Sequence, residues 1–380
     1  MFKSIGEKLS RKTGGAPPQT VELIRQTLTQ VIDPDLHRDI VSLGFVKEID
    51  VKGNGAKIVV ELTTPACPAK DQMQKQIEEL TLAIDGISEV DVVFTADTRA
   101  RKTTLGADVL PALGRVKNIV AVASGKGGVG KSTTTVNLAY ALAKAGSKVG
   151  ILDADIYGPS IPLMTGVADP TETEGTMVVP PMVDGVKAIS VAMFAQKGGA
   201  QLMRGPMTAQ IIKQFLTQIA WGELDYLLID YPPGTGDIQL TLSQMAPISG
   251  AVLVTTPQEV ALVDVRKAIK MFSTTKVPIL GVVETMSYFV CDGCDKRHEI
   301  FRSEGGQRVA DENGIPLLGQ IPMEPGVALG SDSGKPVVQG VPESLAAVGF
   351  TEASGKVASQ LAILASSELD SLTSFDLQWH

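Results

Sequence analysis

Residues 119–133 read IVAVASGKGGVGKST, and the reading of this stretch decides the fold. An apolar run, Ile119 to Ala123, gives way to Gly125, Gly127, Gly128 and Gly130, then to Lys131, Ser132 and Thr133. A helical pattern follows. Strand, tight glycine loop and helix start therefore come in sequence. From Gly125 to Ser132 the spacing is G-x-x-x-x-G-K-S, that of a phosphate-cradling loop. Glycine permits positive φ, so successive N–H groups can turn inward on an anion. The helix start adds unpaired N–H groups and the positive end of its dipole. Lys131 is placed to reach the β- and γ-phosphates, and the Ser132 hydroxyl to ligate Mg²⁺. The binding set expected from this spacing is Gly125, Lys126, Gly127, Gly128, Val129, Gly130, Lys131, Ser132 and Thr133.

Lys126, directly after Gly125, gives K-G-G-V-G-K-S. Two lysines near one triphosphate exceed what a monomeric site needs. The loop resembles the deviant P-loop of the MinD/ParA/nitrogenase iron-protein class. In that class the first lysine crosses a dimer interface to the partner's nucleotide. The resemblance implies an ATP-dependent homodimer in which Lys126 and Lys131 both serve catalysis.

A length of 380 residues predicts two domains. Hydrophobic residues are 44% of the chain and aromatics 4%, so the core is built from Val, Ile, Leu, Ala and Met. The net charge of −8 speaks against a generic nucleic-acid binder. No apolar run approaches the roughly 18 residues that span a membrane. The opening MFKSIGEKLSRKTGG is basic but has no apolar centre, unlike a secretory signal. The three cysteines, Cys67, Cys291 and Cys294, are too few and too odd in number for a disulfide framework. They fit a reducing, cytoplasmic location.

Downstream, Val149–Leu152 is a second buried strand ending in Asp153-Ala154-Asp155, and Tyr226–Asp230 is a third. Strands alternating with helical patterns predict parallel βαβ units. The expected fold is α/β: a P-loop NTPase with a mostly parallel sheet covered by helices, preceded by a small α+β domain. Ligands of such sheets lie beyond the carboxyl ends of the strands, where both Asp153 and Asp230 sit. The resemblance implies that Asp153 supports Mg²⁺ and its waters and that Asp155 positions the attacking water. Asp230 holds the ion through water. Pro232-Pro233-Gly234-Thr235-Gly236-Asp237 then reads as a switch that a γ-phosphate orders through a glycine N–H. Further elements are expected at Ile189–Met193 (strand), 203–216 and Ile238–Met245 (helices) and Gly250–Thr255 (strand). A helix after Pro257, strands at Val277–Val283 and Leu317–Ile321, and a terminal helix over Ser344–Ala365 complete the set. The last fifteen residues are expected to fray. Arg204 is left without a role.

The organisation expected is a tail over 1–17, the small domain over 18–97, a linker over 98–117, the ATPase domain over 118–370 and a tail over 371–380. In the small domain, helical spacing covers Val21–Ile32. Phe45–Val51 and Ala56–Leu62 are β-type runs joined by Lys52-Gly53-Asn54-Gly55, a hairpin signal. Pro68–Ile84 reads as a helix and Val90–Phe94 as a short strand. The linker's Arg99, Arg101 and Lys102 form a basic cluster, and a short helix is expected near Leu110–Leu113. Cys67 lies in LTTPACPAK, residues 62–70, between a strand end and a helix start that would favour thiolate. Base rates favour a small buried cysteine there. DPDL, VSLGFV and TTPACP, however, resemble the small domain of MIP-type iron–sulfur assembly proteins. That resemblance implies a reactive or ligand-forming Cys67.

Cys291-Asp292-Gly293-Cys294 supplies two ligands, where a closed zinc or [4Fe–4S] site needs four. Three readings stand: a redox dithiol, a zinc site completed by His298, and two copies of the pair sharing one [4Fe–4S] cluster on a two-fold axis. The third uses the same symmetry as Lys126. With ILDADIYGPS, MRGPM, YLLIDYPPGTGD and TTPQEVALVD, the chain over about 115–345 resembles the Mrp/ApbC iron–sulfur carrier ATPases. The resemblance implies a cytosolic homodimer that binds a labile [4Fe–4S] cluster at Cys291 and Cys294. It implies loading from a cluster assembly scaffold, transfer to apo iron–sulfur proteins, and ATP and Mg²⁺ as cofactors, with no nucleic acid and no membrane. Thr285 replaces the asparagine usual in E-N-M-S, which is expected to read adenine. Tyr231 stands where a smaller residue is usual. The alternative is a MinD/ParA-like positioning ATPase with a structural zinc at the cysteine pair, although the acidic terminus SSELDSLTSFDLQWH suits neither membrane nor DNA. An electron donor like the nitrogenase iron protein has its cluster cysteines far apart in sequence, unlike this pair.

Overall fold

The computed structural model describes residues 18–100, 110–170, 172–194 and 205–374. The tail 1–17, Arg101, Lys102, Arg204 and the last six residues lie outside them. The chain divides into two compact units, one ending at Asp97 and one starting at Thr98, with Thr64–Ala66 counted in the second.

The first unit holds helix α1 (Pro18–Thr27), strands β1 (Val46–Lys52) and β2 (Gly55–Leu62), helix α2 (Lys70–Leu82) and strand β3 (Glu89–Ala96). β1 and β2 pair antiparallel with Lys52 opposite Gly55. Gly53, at φ +62°, supplies the left-handed turn residue a two-residue hairpin needs. β3 runs parallel to β2. Ile24, Leu28, Ile58, Val60, Met73 and Ile77 form the core. The first helix stops short of Ile32: it tightens to a 3₁₀ turn over Leu28–Gln30 and leaves helical geometry at Val31. β-branched Val31 and Ile32 favour that extended exit.

The second unit is built on an eight-stranded sheet. Its strands are β4 (Val116–Ser124), β5 (Val149–Asp153), β6 (Met182–Val183), β7 (Val186–Ser190), β8 (Leu224–Asp230), β9 (Gly250–Thr255), β10 (Ile279–Glu284) and, later in the chain, Leu317–Gln320. A small hairpin, β11 (Phe289–Val290) and β12 (Arg297–His298), stands outside the sheet, which makes Leu317–Gln320 β13. The order is β6-β7-β5-β8-β4-β9-β10-β13. All neighbours are parallel except β6 and β7.

Helices α3 (Lys131–Lys144), α4 (Ile161–Thr165), α5 (Gly205–Thr217), α6 (Asp237–Met245), α7 (Glu259–Thr274), α8 (Gly305–Asn313), α9 (Pro325–Asp332), α10 (Val337–Gly340) and α11 (Leu345–Ser374) cover the sheet and its ends. The alternation in β4 explains the two layers. Val120 and Val122 enter the core shared with α3 and α11. Ile119, Ala121 and Ala123 enter the core shared with α5, α6 and α7. A strand buried on both faces reads as a continuous apolar run. Each such valine or isoleucine contributes about 1.5–3 kcal/mol by leaving water.

Two expectations change. The strand expected over Ile189–Met193 is β7 at Val186–Ser190, and Val191–Phe194 is a 3₁₀ turn. The Ser190 hydroxyl donates to Asp153 at 2.8 Å and accepts from the Ala192 N–H at 3.1 Å, which turns the chain off the ladder. The terminal helix continues past Ala365 to Ser374. Its polar residues were expected to fray it, but residues 365–374 contain neither glycine nor proline to stop it. No helix among the described residues is long and apolar enough to cross a membrane.

Candidate functional site

The loop between β4 and α3 has the backbone its glycines predict. Gly128 and Gly130 adopt φ of +79° and +80°, and Gly130 caps α3 in left-handed geometry. Gly125 serves another purpose: a Cβ there would lie 2.1 Å from the Asp264 carbonyl carbon. The backbone of α7 therefore rests directly on the start of the loop. Val129 is buried, and the Ser124 hydroxyl donates to the Lys126 carbonyl at 3.0 Å. The Lys126 side chain is half-buried and makes no ion pair among the described residues.

Asp153 and Asp230 sit side by side at the carboxyl ends of β5 and β8, as register partners. Lys131 lies 2.8 Å from Asp230 and 3.5 Å from Asp155, with all three largely buried. Ser132 donates to Asp230 Oδ2 at 2.6 Å, and Thr135 to Oδ1 at 2.7 Å. The structure thus gathers Lys131, Ser132, Asp155 and Asp230 into one cluster. Asp153 is held differently. Its Oδ1 accepts from the Asp155 N–H, and its Oδ2 from the Ile161 N–H and Ser190 Oγ. Burial, then the neighbouring Asp230, pushes its carboxyl up to about 7. Asp153 is the anchor of the 154–161 loop in this nucleotide-free geometry.

Sequence reading missed Thr135 and Ser190. Thr135 carried a signal: it is four residues from Lys131, hence on the same helix face. Ser190 carried one only in the strand register, which sets it opposite Asp153.

In the 232–237 segment the Gly234 N–H donates to the Ser124 carbonyl at 3.0 Å, and Gln239 Nε2 donates to the carbonyls of Pro232 and Pro233. The glycine N–H expected to meet a phosphate is turned onto the end of β4. Tyr231 is fully buried, its ring 5.9 Å from that of Phe272 and its hydroxyl 3.5 Å from Ser243 Oγ. It packs beneath the switch, away from Asp230. The Thr285 hydroxyl donates to the Val129 carbonyl at 2.6 Å and lies 3.0 Å from that of Thr255.

Cys291 and Cys294 sit in the connection of the β11–β12 hairpin. That turn is closed by Cys291 N–H to Lys296 O at 3.0 Å and Asp295 N–H to Cys291 O at 2.9 Å. Cys291 is half-exposed and Cys294 exposed. The Gly293 N–H, followed by the thiol and N–H of Cys294, draws the Cys291 thiol below its ordinary range. His298 pairs with Phe289 across the hairpin. Among the described residues no third His, Cys, Asp or Glu joins the two sulfurs, so His298 does not complete a zinc site.

The thiolate expected at Cys67 is corrected. The N–H groups of Ala69 and Lys70 at the start of α2 do favour thiolate, but burial outweighs them. With Asp33 and Asp35 nearby, the thiol rises to about 11. The small-buried-cysteine reading describes it.

Comparison with known proteins places these features. Residues 115–358 match the family model described as NUBPL iron-transfer P-loop NTPase, and residues 22–93 match that of an iron-sulfur cluster assembly protein. The iron-sulfur cluster carrier protein of Deinococcus radiodurans is 44% identical over 350 residues, covering 92% of this chain and 97% of that one. The protein of the same description from Synechocystis is 41% identical over 352 residues, covering 91% and 99%. Among solved structures, the nucleotide-binding protein of Archaeoglobus fulgidus in complex with ADP is 42% identical. It superposes with a TM-score of 0.53 over 60% of this chain and 90% of its own. Matched over more than half its length, the chain belongs to the NUBPL iron-transfer P-loop NTPase family and carries an iron-sulfur cluster assembly domain ahead of it.

Proposed function

We propose that the protein is an ATP-dependent iron–sulfur cluster carrier, working as a cytoplasmic homodimer. The observation that carries this reading is the hairpin. It presents two accessible thiols, one drawn toward thiolate, with no third ligand among the described residues. A second copy of the chain supplies the other two ligands of a [4Fe–4S] cluster across a two-fold axis. The cluster is cargo: it arrives from an assembly scaffold and leaves to apo iron–sulfur proteins. Residues 118–370 are the ATPase domain, 18–97 the assembly-type domain, and 98–117 the linker between them.

The hydrolytic roles follow from the cluster of side chains. Ser132 Oγ and Asp230 Oδ2 converge within 2.6 Å, a hard-oxygen pair that fits Mg²⁺ and its waters. When bound, that ion neutralises phosphate charge. Lys131 leaves the carboxylates for the β- and γ-phosphates when ATP enters, which frees Asp230. Asp155, already within 3.5 Å of Lys131, orients the attacking water. Asp153 keeps the Asp155 loop in register through its three donors. Lys126 has its ammonium available to the partner's nucleotide.

The test is anaerobic reconstitution with iron and sulfide, followed by iron, sulfide and zinc counts per dimer in the wild type and in Cys294→Ala. About four irons per dimer, lost in the variant, is the expected result. Stoichiometric zinc without sulfide would overturn the carrier reading and leave a positioning ATPase with a structural metal.

A further inference from the structure

A cavity of about 530 Å³ opens beside the phosphate loop, bordered by Gly130 and Thr133. Met286, Phe289, Met323 and Phe350 give it apolar walls. Its position commits it to one occupant. A nucleotide whose phosphates fill the loop at Gly130 has its base within one ribose of that point, and this is the cleft found there. Its volume lies in the range of small-molecule sites.

The hydrogen-bond donors of the lining are already used. The Thr285 hydroxyl is taken by the Val129 and Thr255 carbonyls, and the Ser331 hydroxyl donates to the Val327 carbonyl at 2.8 Å. The N–H groups of Thr285, Ile321 and Met323 donate to the carbonyls of Thr255, Glu284 and Tyr288. Pro322 and Pro325 have no N–H to offer. Thr133, in the first turn of α3, belongs to the phosphate end of the cleft. The other polar side chains are Glu324 and Asp332, carboxylates that accept only; Glu324 already takes the Ala346 N–H at 3.2 Å.

We infer that this cleft holds the nucleotide base and discriminates weakly between adenine and guanine. The inference rests on the phosphate-loop reading above and adds the base preference to it. Telling the two purines apart requires a donor for guanine O6 or a matched donor–acceptor pair for the adenine edge. The walls provide apolar surface and acceptors. The exocyclic amino group of either purine can meet an acceptor, and the base's own acceptors stay with water at the open mouth. A site that reads by hydrogen bonds rejects the wrong ligand by about 10⁴–10⁵, whereas an apolar pocket separates close analogues by only about 10–200-fold. The Thr285 hydroxyl is a strut for the loop. A Cβ on Gly130 would lie 3.5 Å from Thr285 Cγ2, so the side chain packs on the loop itself.

The experiment measures calorimetric Kd values for ADP and GDP, and kcat/KM for ATP and GTP, on the full chain with Mg²⁺. The expected preference for adenine is less than about 100-fold in both ratios. A larger preference overturns the inference. Binding of neither nucleotide overturns the phosphate-loop reading instead, so the two failures are distinct. Thr285→Val removes the hydroxyl at constant shape. It should weaken both nucleotides by a common factor and leave their ratio unchanged, while a selective loss of one shows that the hydroxyl reads the base. If the variant fails to fold, the wild-type ratio still decides.

Discussion

Lys131→Met should destabilise the protein before any question of catalysis arises. The ammonium it removes lies 2.8 Å from Asp230 and 3.5 Å from Asp155, and the Lys131 and Asp230 side chains are 7% and 0% exposed. Removing one partner of a buried pair costs about 3–5 kcal/mol. An escape route bounds the loss: a carboxyl of ordinary acidity takes a proton at pH 7 for about 4 kcal/mol. The Ser132 and Thr135 hydroxyls still hold Asp230, which favours the lower end, about 3 kcal/mol. The second unit, of roughly 280 residues, unfolds with about 0.6 kcal/mol/K of entropy, so the melting temperature should fall by about 5 °C. The assay is calorimetric melting at pH 7.5 with EDTA and no nucleotide, repeated at pH 5.5. At the lower pH a proton substitutes for the ammonium and the deficit should shrink. A melting temperature within about 1 °C of wild type at pH 7.5, or an undiminished deficit at pH 5.5, would refute the reasoning.

Thr135→Val should cost about 1.5–3 kcal/mol in the same melt, because a buried carboxylate oxygen loses a 2.7 Å hydrogen bond. It should also lower kcat more than it raises KM, since the base cleft is untouched. Gly125→Ala should yield insoluble or molten protein, because the added methyl meets the α7 backbone at 2.1 Å; a wild-type melting curve would contradict the packing. Iodoacetamide alkylation, followed by mass spectrometry, should label Cys291 well before Cys67 at pH 8. The Cys67 thiol is raised from 9.0 to about 11 in the folded chain, so the folded state keeps its proton where the unfolded state has lost it. That stabilisation is complete below pH 9 and is lost as pH rises through about 11. Equal labelling rates at pH 8 would count against both environments.

Local chemistry made much of this legible. The glycine spacing of 125–130 and the apolar runs ending in Asp153 and Asp230 gave the loop, the sheet and the carboxylate cluster, because each signal lies within one short stretch. The missed features depend on which strands become neighbours. Ser190 meets Asp153 only once β7 pairs with β5. α9, reading PGVALGSD, has two glycines and no long apolar face to announce it, and it forms because tertiary packing holds it. Cys67 was misread because helix-end N–H groups can be inferred from sequence, whereas the burial that outweighs them cannot.

The turn after β10 carries two duties on one short stretch. Thr285 braces the phosphate loop at Gly130, Met286 and Phe289 wall the base cleft, and Cys291 follows two residues later. Met286 holds φ at +51°, an uncommon setting for a long side chain, so the stretch is a bent lever with a fixed elbow. Arg297 stacks on Tyr288 at 3.8 Å, and the Tyr288 carbonyl ties the lever to Met323. A nucleotide that presses on Thr285 or Phe289 thereby moves the mounting of the cysteine hairpin without any wider rearrangement of the sheet. Fuel and freight share a single bracket six residues long, and a change in one is mechanically a change in the grip on the other.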